Sequence, residues 1–255
     1  MKPTLYSLIF AAMMLVIPLA VAALLHIRFI PRIWKAVLRT ILLTAAEGGL
    51  LWYLFREDSL LLNVLFVVLA IVFSTLVAVV RARVGTRTGF VPVLAGMFVG
   101  VAVVGVCTLG ALTDAEGMAQ TRCLVPVMAM MAGAATVTCG RALGVYYSGL
   151  RKHSQLYFYL LGNGATHAEA LQYFFRRAVE AALLPGADRI AAAVAGLSPY
   201  VIWTALMCGT DVLSAIILFA VLVSATYCAG VVAVIVAVRV AQWYGVDEYS
   251  RLKSS

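Results

Sequence analysis

The chain has 255 residues, of which 64% are hydrophobic and 12% charged, against about 25% charged in an average soluble domain. Apolar runs of about 20 residues recur from end to end, each long enough to cross a hydrocarbon core of about 30 Å, and this excludes a soluble domain. The formal net charge of +8 does not indicate nucleic acid, because the basic residues form short clusters between apolar runs instead of one solvated polar face.

Hydropathy predicts seven spans, roughly 5–25, 36–55, 59–80, 89–112, 123–146, 186–207 and 212–238. The expected fold is therefore an all-α polytopic membrane protein, a single transmembrane domain over 1–255 with an insertion at 147–185. In the first run, Lys2 followed by apolar residues and Ala20-Val21-Ala22 also fits a cleaved signal peptide. Its length, and the basic stretch His26–Arg39 directly behind it, favour a retained span.

The second span carries Glu47 between Ala45, Ala46, Gly48 and Gly49. A carboxylate at the centre of a span costs about 2.5 kcal/mol or more on insertion scales, so a role in a translocation path or in proton linkage is the default reading. The competing reading is a protonated Glu bonding a neighbouring helix. The fourth span holds Gly96 and Gly100 in a G-x-x-x-G spacing that suits close helix contact.

The fifth span carries Met128, Met130, Met131 and Cys139, whose sulfur atoms suit soft metal ions. Met131 and Cys139 are the pathway and metal candidates, with Glu47, although Met in an apolar helix ordinarily serves packing. The five cysteines form no C-x-x-C pair, and His26, His153 and His167 are scattered, so neither set reads as a zinc site. No phosphate loop, H-E-x-x-H or G-x-S-x-G is present. The chain is thus expected to be no enzyme, to hold no cofactor, and to take any ATP-Mg drive from a partner chain.

Within the insertion, Gly162 and Gly164 permit a sharp turn, and Thr166 stands three residues before Glu169 in a capping-box spacing. The spacing predicts a short helix over 166–179, with Leu171, Phe174, Phe175 and Val179 recurring along it. Such a helix either rests on lipid headgroups or docks into a groove on a soluble partner. Beyond it, Pro185-Gly186 followed by Asp188 and Arg189 reads as the start of the sixth span, proline at the first helical position and Asp in the first turn. Asp188 and Arg189 are candidates for a gating pair. Pro199 is expected to kink the sixth span, since it removes a backbone hydrogen bond.

Orientation follows from Lys and Arg. One set of connections holds Arg28, Arg32, Lys35, Arg39, Arg81, Arg83, Arg87, Arg141, Arg151, Lys152, Arg176, Arg177, Arg239, Arg251 and Lys253; the other holds Lys2, Arg56 and Arg122. The rule that cytoplasmic loops carry the positive excess places the N-terminus outside and the C-terminus in the cytoplasm.

The Gly164-Ala165-Thr166 segment with Ala168 and Ala170, flanked by spans, resembles the cytoplasmic coupling segment of ATP-binding-cassette (ABC) permeases. Pro126 through Gly133, Ala182-Leu183-Leu184-Pro185 with Asp188, then Pro199, Gly209 and Asp211 resemble FetB-type iron-export permeases, whose plant relatives act in aluminium tolerance. The resemblance implies a homodimeric permease in the plasma (inner) membrane, bound to a separate ABC ATPase and exporting metal ions, iron first. It implies ATPase coupling through Gly164, Ala165, Thr166, His167, Glu169, Leu171, Phe174 and Phe175, and gating near Asp188, Arg189 and Pro199. Several family positions differ. Ala134 replaces Asn, Tyr200 replaces Gly, His167 replaces Pro, Leu218-Phe219 replace Tyr-Gln, and Leu43 replaces Gln one turn from Glu47. These losses leave room for another cargo such as a nucleotide sugar. From the residues alone, a proton- or ion-coupled carrier using Glu47, or a membrane scaffold recruiting a soluble protein, are further alternatives.

Overall fold

The structure, a computed structural model, describes residues 30–244 and, before them, Phe10, Met13, Met14, Ile17 and Val21. The predicted span 5–25 and the basic residues Lys2, Arg28, Arg251 and Lys253 therefore lie outside the described residues, those five positions excepted. All regular structure among the described residues is helical, and the protein is an all-α polytopic membrane protein. The chain divides into two units, Met1–Glu57 and Asp58–Ser255.

The first unit contributes α1 (Ile30–Glu57). It is apolar enough to span over Val37–Glu57. Near its end the Arg56 guanidinium lies over the Trp52 ring, 5.5 Å from the centroid.

The second unit begins with α2 (Leu60–Ala82) and α3 (Thr86–Leu112), joined through Arg83 in the left-handed region at φ 53°. A short α4 (Ala115–Ala119) leads into α5 (Thr121–Lys152), and α6 (Ser154–Gly162) follows. Then come α7 (His167–Gly196), α8 (Ser198–Met207) and α9 (Val212–Tyr244). At 1.5 Å per residue, α5 and α9 are each about 50 Å long. Both outrun a hydrocarbon core of about 30 Å and so project beyond it.

In lipid the driving force for helix association is close packing, and small residues supply it. Gly96 and Gly100 of α3 meet Ala229, Ala233 and Ala237 of α9. A Cβ added at Gly96 would overlap the Ala233 carbonyl oxygen and lie 2.7 Å from the Ala237 Cβ; one at Gly100 would lie 2.7 Å from the Ala233 Cβ. The G-x-x-x-G spacing is therefore the seam of the tightest helix pair. Behind it, α5 packs into the interior with Met131, Ala135, Cys139, Ala142 and Leu143 at 0% exposure. Buried hydroxyls on these spans bond their own helices, Thr75 donating to the Ile71 carbonyl, Thr108 to Val104 and Thr136 to Ala132. Each of these hydroxyls is thus satisfied without water.

Five helices qualify as spans: Val37–Glu57, Leu60–Ala82, Thr88–Leu112, Thr121–Lys152 and Val212–Tyr244; α7 and α8 form a sixth if the bent pair is one crossing. This pair corrects three expectations. The short helix 166–179 is the first half of the 30-residue α7. Pro185 does not start a span but lies inside that helix. The single span 186–207 is instead two helices meeting at a 44° bend.

Physics accounts for both prolines. In an apolar setting, interrupting a helix exposes several backbone groups, whereas an internal proline forfeits one hydrogen bond, so α7 runs through Pro185. At Leu197 the helix ends with its amide donating to the Ala193 carbonyl. Pro199 then occupies the first turn of α8, where its missing N–H costs nothing. The predicted bend at Pro199 is therefore present as a break.

Candidate functional site: a capped helix feeding an inter-helical cleft

The turn ahead of α7 uses Gly164 at φ 86°, a conformation that glycine adopts without a Cβ penalty. Thr166 then caps the helix. Its amide donates to Glu169 Oε2 at 2.8 Å, its hydroxyl donates to the same oxygen at 2.8 Å, and the Glu169 amide donates to Thr166 Oγ1 at 3.4 Å. The capping box expected from Thr166 and Glu169 is complete.

Four contacts hold this helix start onto the rest of the unit. Leu171 and Phe174 are buried at 0% and 2% exposure. The Phe174 ring covers Gly149 of α5, where an added Cβ would sit 3.3 Å from its Cδ1. His167 Nδ1 stands 2.8 Å from the hydroxyl of the buried Tyr157 on α6, with the two rings edge to face at 5.8 Å. The Arg239 guanidinium of α9 lies over the Phe175 ring, 4.5 Å from its centroid. His167 Nε2 is buried with no hydrogen-bond partner among the described residues. Burial holds the Tyr157 phenol above its usual pKa, so it stays protonated at neutral pH.

Leu171 and Phe174, expected among the coupling residues, are buried and anchor the helix start. The exposed face of the helix start is instead Ala168, Glu169, Gln172, Tyr173 and Arg176. Ala168, Glu169 and Gln172 line a shallow surface depression. The 3.6-residue period marks this face as the complement of Ala170, Leu171, Phe174 and Ala178, a distinction available from the sequence once the buried side is known.

From this start, α7 runs unbroken to a cleft between α5, α7 and α9. The cleft, about 170 Å³ in volume, is lined by Ala134, Thr138, Gly186, Arg189, Thr226 and Tyr227 among others. A narrow extension continues past Thr138, Gly186 and Arg189 to Arg141 and Pro185. Arg189, a gating candidate, is a cleft residue; Asp188 is exposed and lies outside both linings. Pro199 lies just beyond Leu197, the cleft residue at the bend.

The metal candidates are distributed differently. Met131 and Cys139 are fully buried in α5. Eight residues separate them, about 12 Å of helical rise, so one ion cannot bridge them. Glu47 lies in the first unit, on an exposed stretch of α1 beside Gly48 and Gly49. Among the described residues no three His, Cys, Asp or Glu side chains are grouped to hold a metal ion.

One polar cluster has no counterpart in the sequence-based candidates. Asp58 Oδ1 accepts from the Thr121 amide at 3.1 Å and from the Thr121 hydroxyl at 2.5 Å. The Asn63 amide group donates to the Ala119 carbonyl at 3.3 Å, and its Oδ1 stands 3.1 Å from the Thr121 hydroxyl. The cluster ties the start of α2 to the start of α5. Nothing local in the sequence pairs Asp58 with Thr121, because the two lie 63 residues apart.

No curated protein and no solved structure matches the chain. A family model does match it, over residues 5–244, nearly the full length. The chain belongs to UPF0014, described as an uncharacterised protein family.

Proposed function

We propose that this protein is the membrane-spanning permease subunit of an ABC transporter, driven by a separate ATPase and exporting metal ions, iron first. Membership of a family that includes FetB-type permeases supports the scaffold. The observation that carries the reading is mechanical. The capped start of α7 is braced by α5, α6 and α9, and the same helix continues for about 35 Å to Arg189 in the cleft. Displacement at Thr166 therefore reaches the cleft through hydrogen-bonded backbone rather than through a loop. ATP binding on the partner supplies the bias between two rigid-body states.

In this reading Gly164, Ala165, Thr166, His167 and Glu169 shape the coupling end, and Ala168, Gln172 and Tyr173 touch the ATPase. The permease works as a homodimer in the plasma (inner) membrane, performs no chemistry itself, and leaves ATP-Mg to its partner. Met131 and Cys139, which become accessible as the spans separate, and Glu47 are the residues that meet the ion. Asp188, Arg189 and Pro199 lie where the path would be gated.

Purification with the candidate ATPase tests the proposal. The expected result is a stable complex whose ATPase rate changes when the permease is present. No complex and an unaltered rate would overturn it. Cargo is tested separately with sealed vesicles loaded with iron, where ATP-dependent movement is expected. Movement of a nucleotide sugar instead would keep the permease and replace the cargo. Transport that persists without ATP and collapses with the proton gradient would favour a carrier built on Glu47.

A further inference from the structure

The cleft between α5, α7 and α9 has an electrostatic character that the metal-ion reading does not use. Arg189 lines the main cleft and Arg141 its extension, with Thr138, Gly186 and Arg189 common to both, so the two guanidinium groups belong to one continuous recess. Neither lining contains a carboxylate. Among the described residues, neither arginine forms an ion pair or a hydrogen bond through its side chain. Both arginine side chains are exposed, so each is open to a ligand from outside the chain. Two adjacent ones left unneutralised make a positive recess.

The hydroxyls around them narrow the possibilities. Thr138 donates to the Ala134 and Ala135 carbonyls at 3.2 and 3.0 Å, and Thr226 donates to Val223 at 2.8 Å. Both protons are thus committed to their own helices. Tyr227 is different. Its ring is pressed on Gly186, where an added Cβ would lie 2.9 Å from the Tyr227 Cε2, next to the hydroxyl-bearing carbon. A Cβ at 186 would make the ring shift, and the phenol has no hydrogen-bond partner among the described residues. Two guanidinium groups and one phenol thus line a recess to which the chain contributes no carboxylate.

We propose that this recess binds an anionic phosphate group, held by Arg141, Arg189 and Tyr227. Guanidinium groups match phosphate with paired N–H donors, and the phenol adds a third. The phosphate belongs to an anionic lipid headgroup or to a soluble phosphorylated compound. Either one places an anion beside the residues that the transport reading assigns to gating. The site stands whether or not an ATPase is involved.

The purified full chain in neutral detergent is titrated with pyrophosphate by calorimetry, and in parallel its retention of phosphatidylglycerol is measured by native mass spectrometry. Wild-type protein is expected to bind one of the two, and Arg189→Gln or Arg141→Gln to weaken that binding at least tenfold. Arg189→Lys is expected to restore part of it, since charge returns without the fork. Tyr227→Phe, which keeps the packing on Gly186, is expected to weaken binding several-fold at unchanged thermal stability. Arginine-dependent pyrophosphate binding with indifferent lipid retention identifies a soluble ligand, and the reverse identifies a headgroup. Binding of neither probe, or binding unchanged in the folded Arg141→Gln/Arg189→Gln double variant, overturns the proposal. No ATPase is present in this assay, so its failure is distinct from failure of the permease reading.

Discussion

Asp58 occupies the left-handed backbone region at φ 35°, which Asp tolerates better than most residues. Its carboxylate holds the Thr121 amide and hydroxyl. Those two hydrogen bonds lower the Asp58 pKa from its ordinary value, the hydroxyl contributing most, with Arg122 assisting. A carboxylate with a lowered folded-state pKa contributes stability that is full above the unfolded value and is lost as pH falls through the folded one. Thermal unfolding in detergent is therefore expected to give a Tm that is level near neutrality and falls as pH drops below about 4. Thr121→Val is expected to lower the neutral Tm and to flatten that acid limb. An acid limb as steep in the variant as in the wild type would place the pH dependence elsewhere.

At the start of α7, burial divides anchoring residues from an exposed face. Phe174 is buried against Gly149, so Phe174→Ala is expected to cost about 3–5 kcal/mol of stability. Tyr157→Phe removes the hydroxyl facing His167 and is expected to cost about 1 kcal/mol. Gln172→Glu and Tyr173→Ala, both on the exposed face, are expected to leave Tm within about a degree and weaken ATPase association at least tenfold. Equal loss of stability from all four variants would mean that the exposed face is structural.

Among the elements, the α3–α9 pair was readable and the α7–α8 pair was not. Gly96 and Gly100 announce a seam because a helix interface in lipid selects small residues at one-turn spacing. The sequence names one side of the seam, and Ala229, Ala233 and Ala237 supply the other. Since an added Cβ at Gly96 would meet backbone, Gly96→Ala is expected to destabilise the protein by about 1–3 kcal/mol, read as a lower Tm.

Pro185 misled because the first helical position and the interior of a membrane helix both accept proline, for different reasons. The first lacks a hydrogen bond anyway, and the second is enforced by the absence of water. Nothing local in Pro185-Gly186-Ala187-Asp188 separates these cases; Tyr227 packing on Gly186 does. Leu171 and Phe174 carried the right period, but period alone does not say which neighbour covers the apolar stripe. Here Gly149 of α5 takes the Phe174 ring, and the opposite side of the helix is left exposed.

For the whole molecule, the bend between α7 and α8 admits either a crossing or a re-entrant turn. Cys208 sits just past α8 and is exposed, so it reports on the difference. If the pair crosses, a membrane-impermeant thiol reagent is expected to label Cys208 from outside intact cells in a background without the other cysteines. A cysteine introduced at His153 is expected to label only after permeabilisation. Labelling of both from the same side would make α7–α8 re-entrant and reverse the side on which the last span begins.

What the sequence determined alone is the part governed by local physics: helical class, membrane solvent, span candidates from apolar length, the capping box at Thr166, and the close-packing glycines of α3. Each depends on residues within a turn or two of one another. The tertiary structure decided everything that needs a distant partner: the continuity of α7, the burial of Leu171 and Phe174, the clasp of Asp58 on Thr121, and the meeting of Arg141, Arg189 and Tyr227 in one recess. The reason is that hydropathy fixes which residues leave water but is blind to which helix receives them. In lipid all apolar faces are equivalent, and only shape and a few polar contacts choose among them.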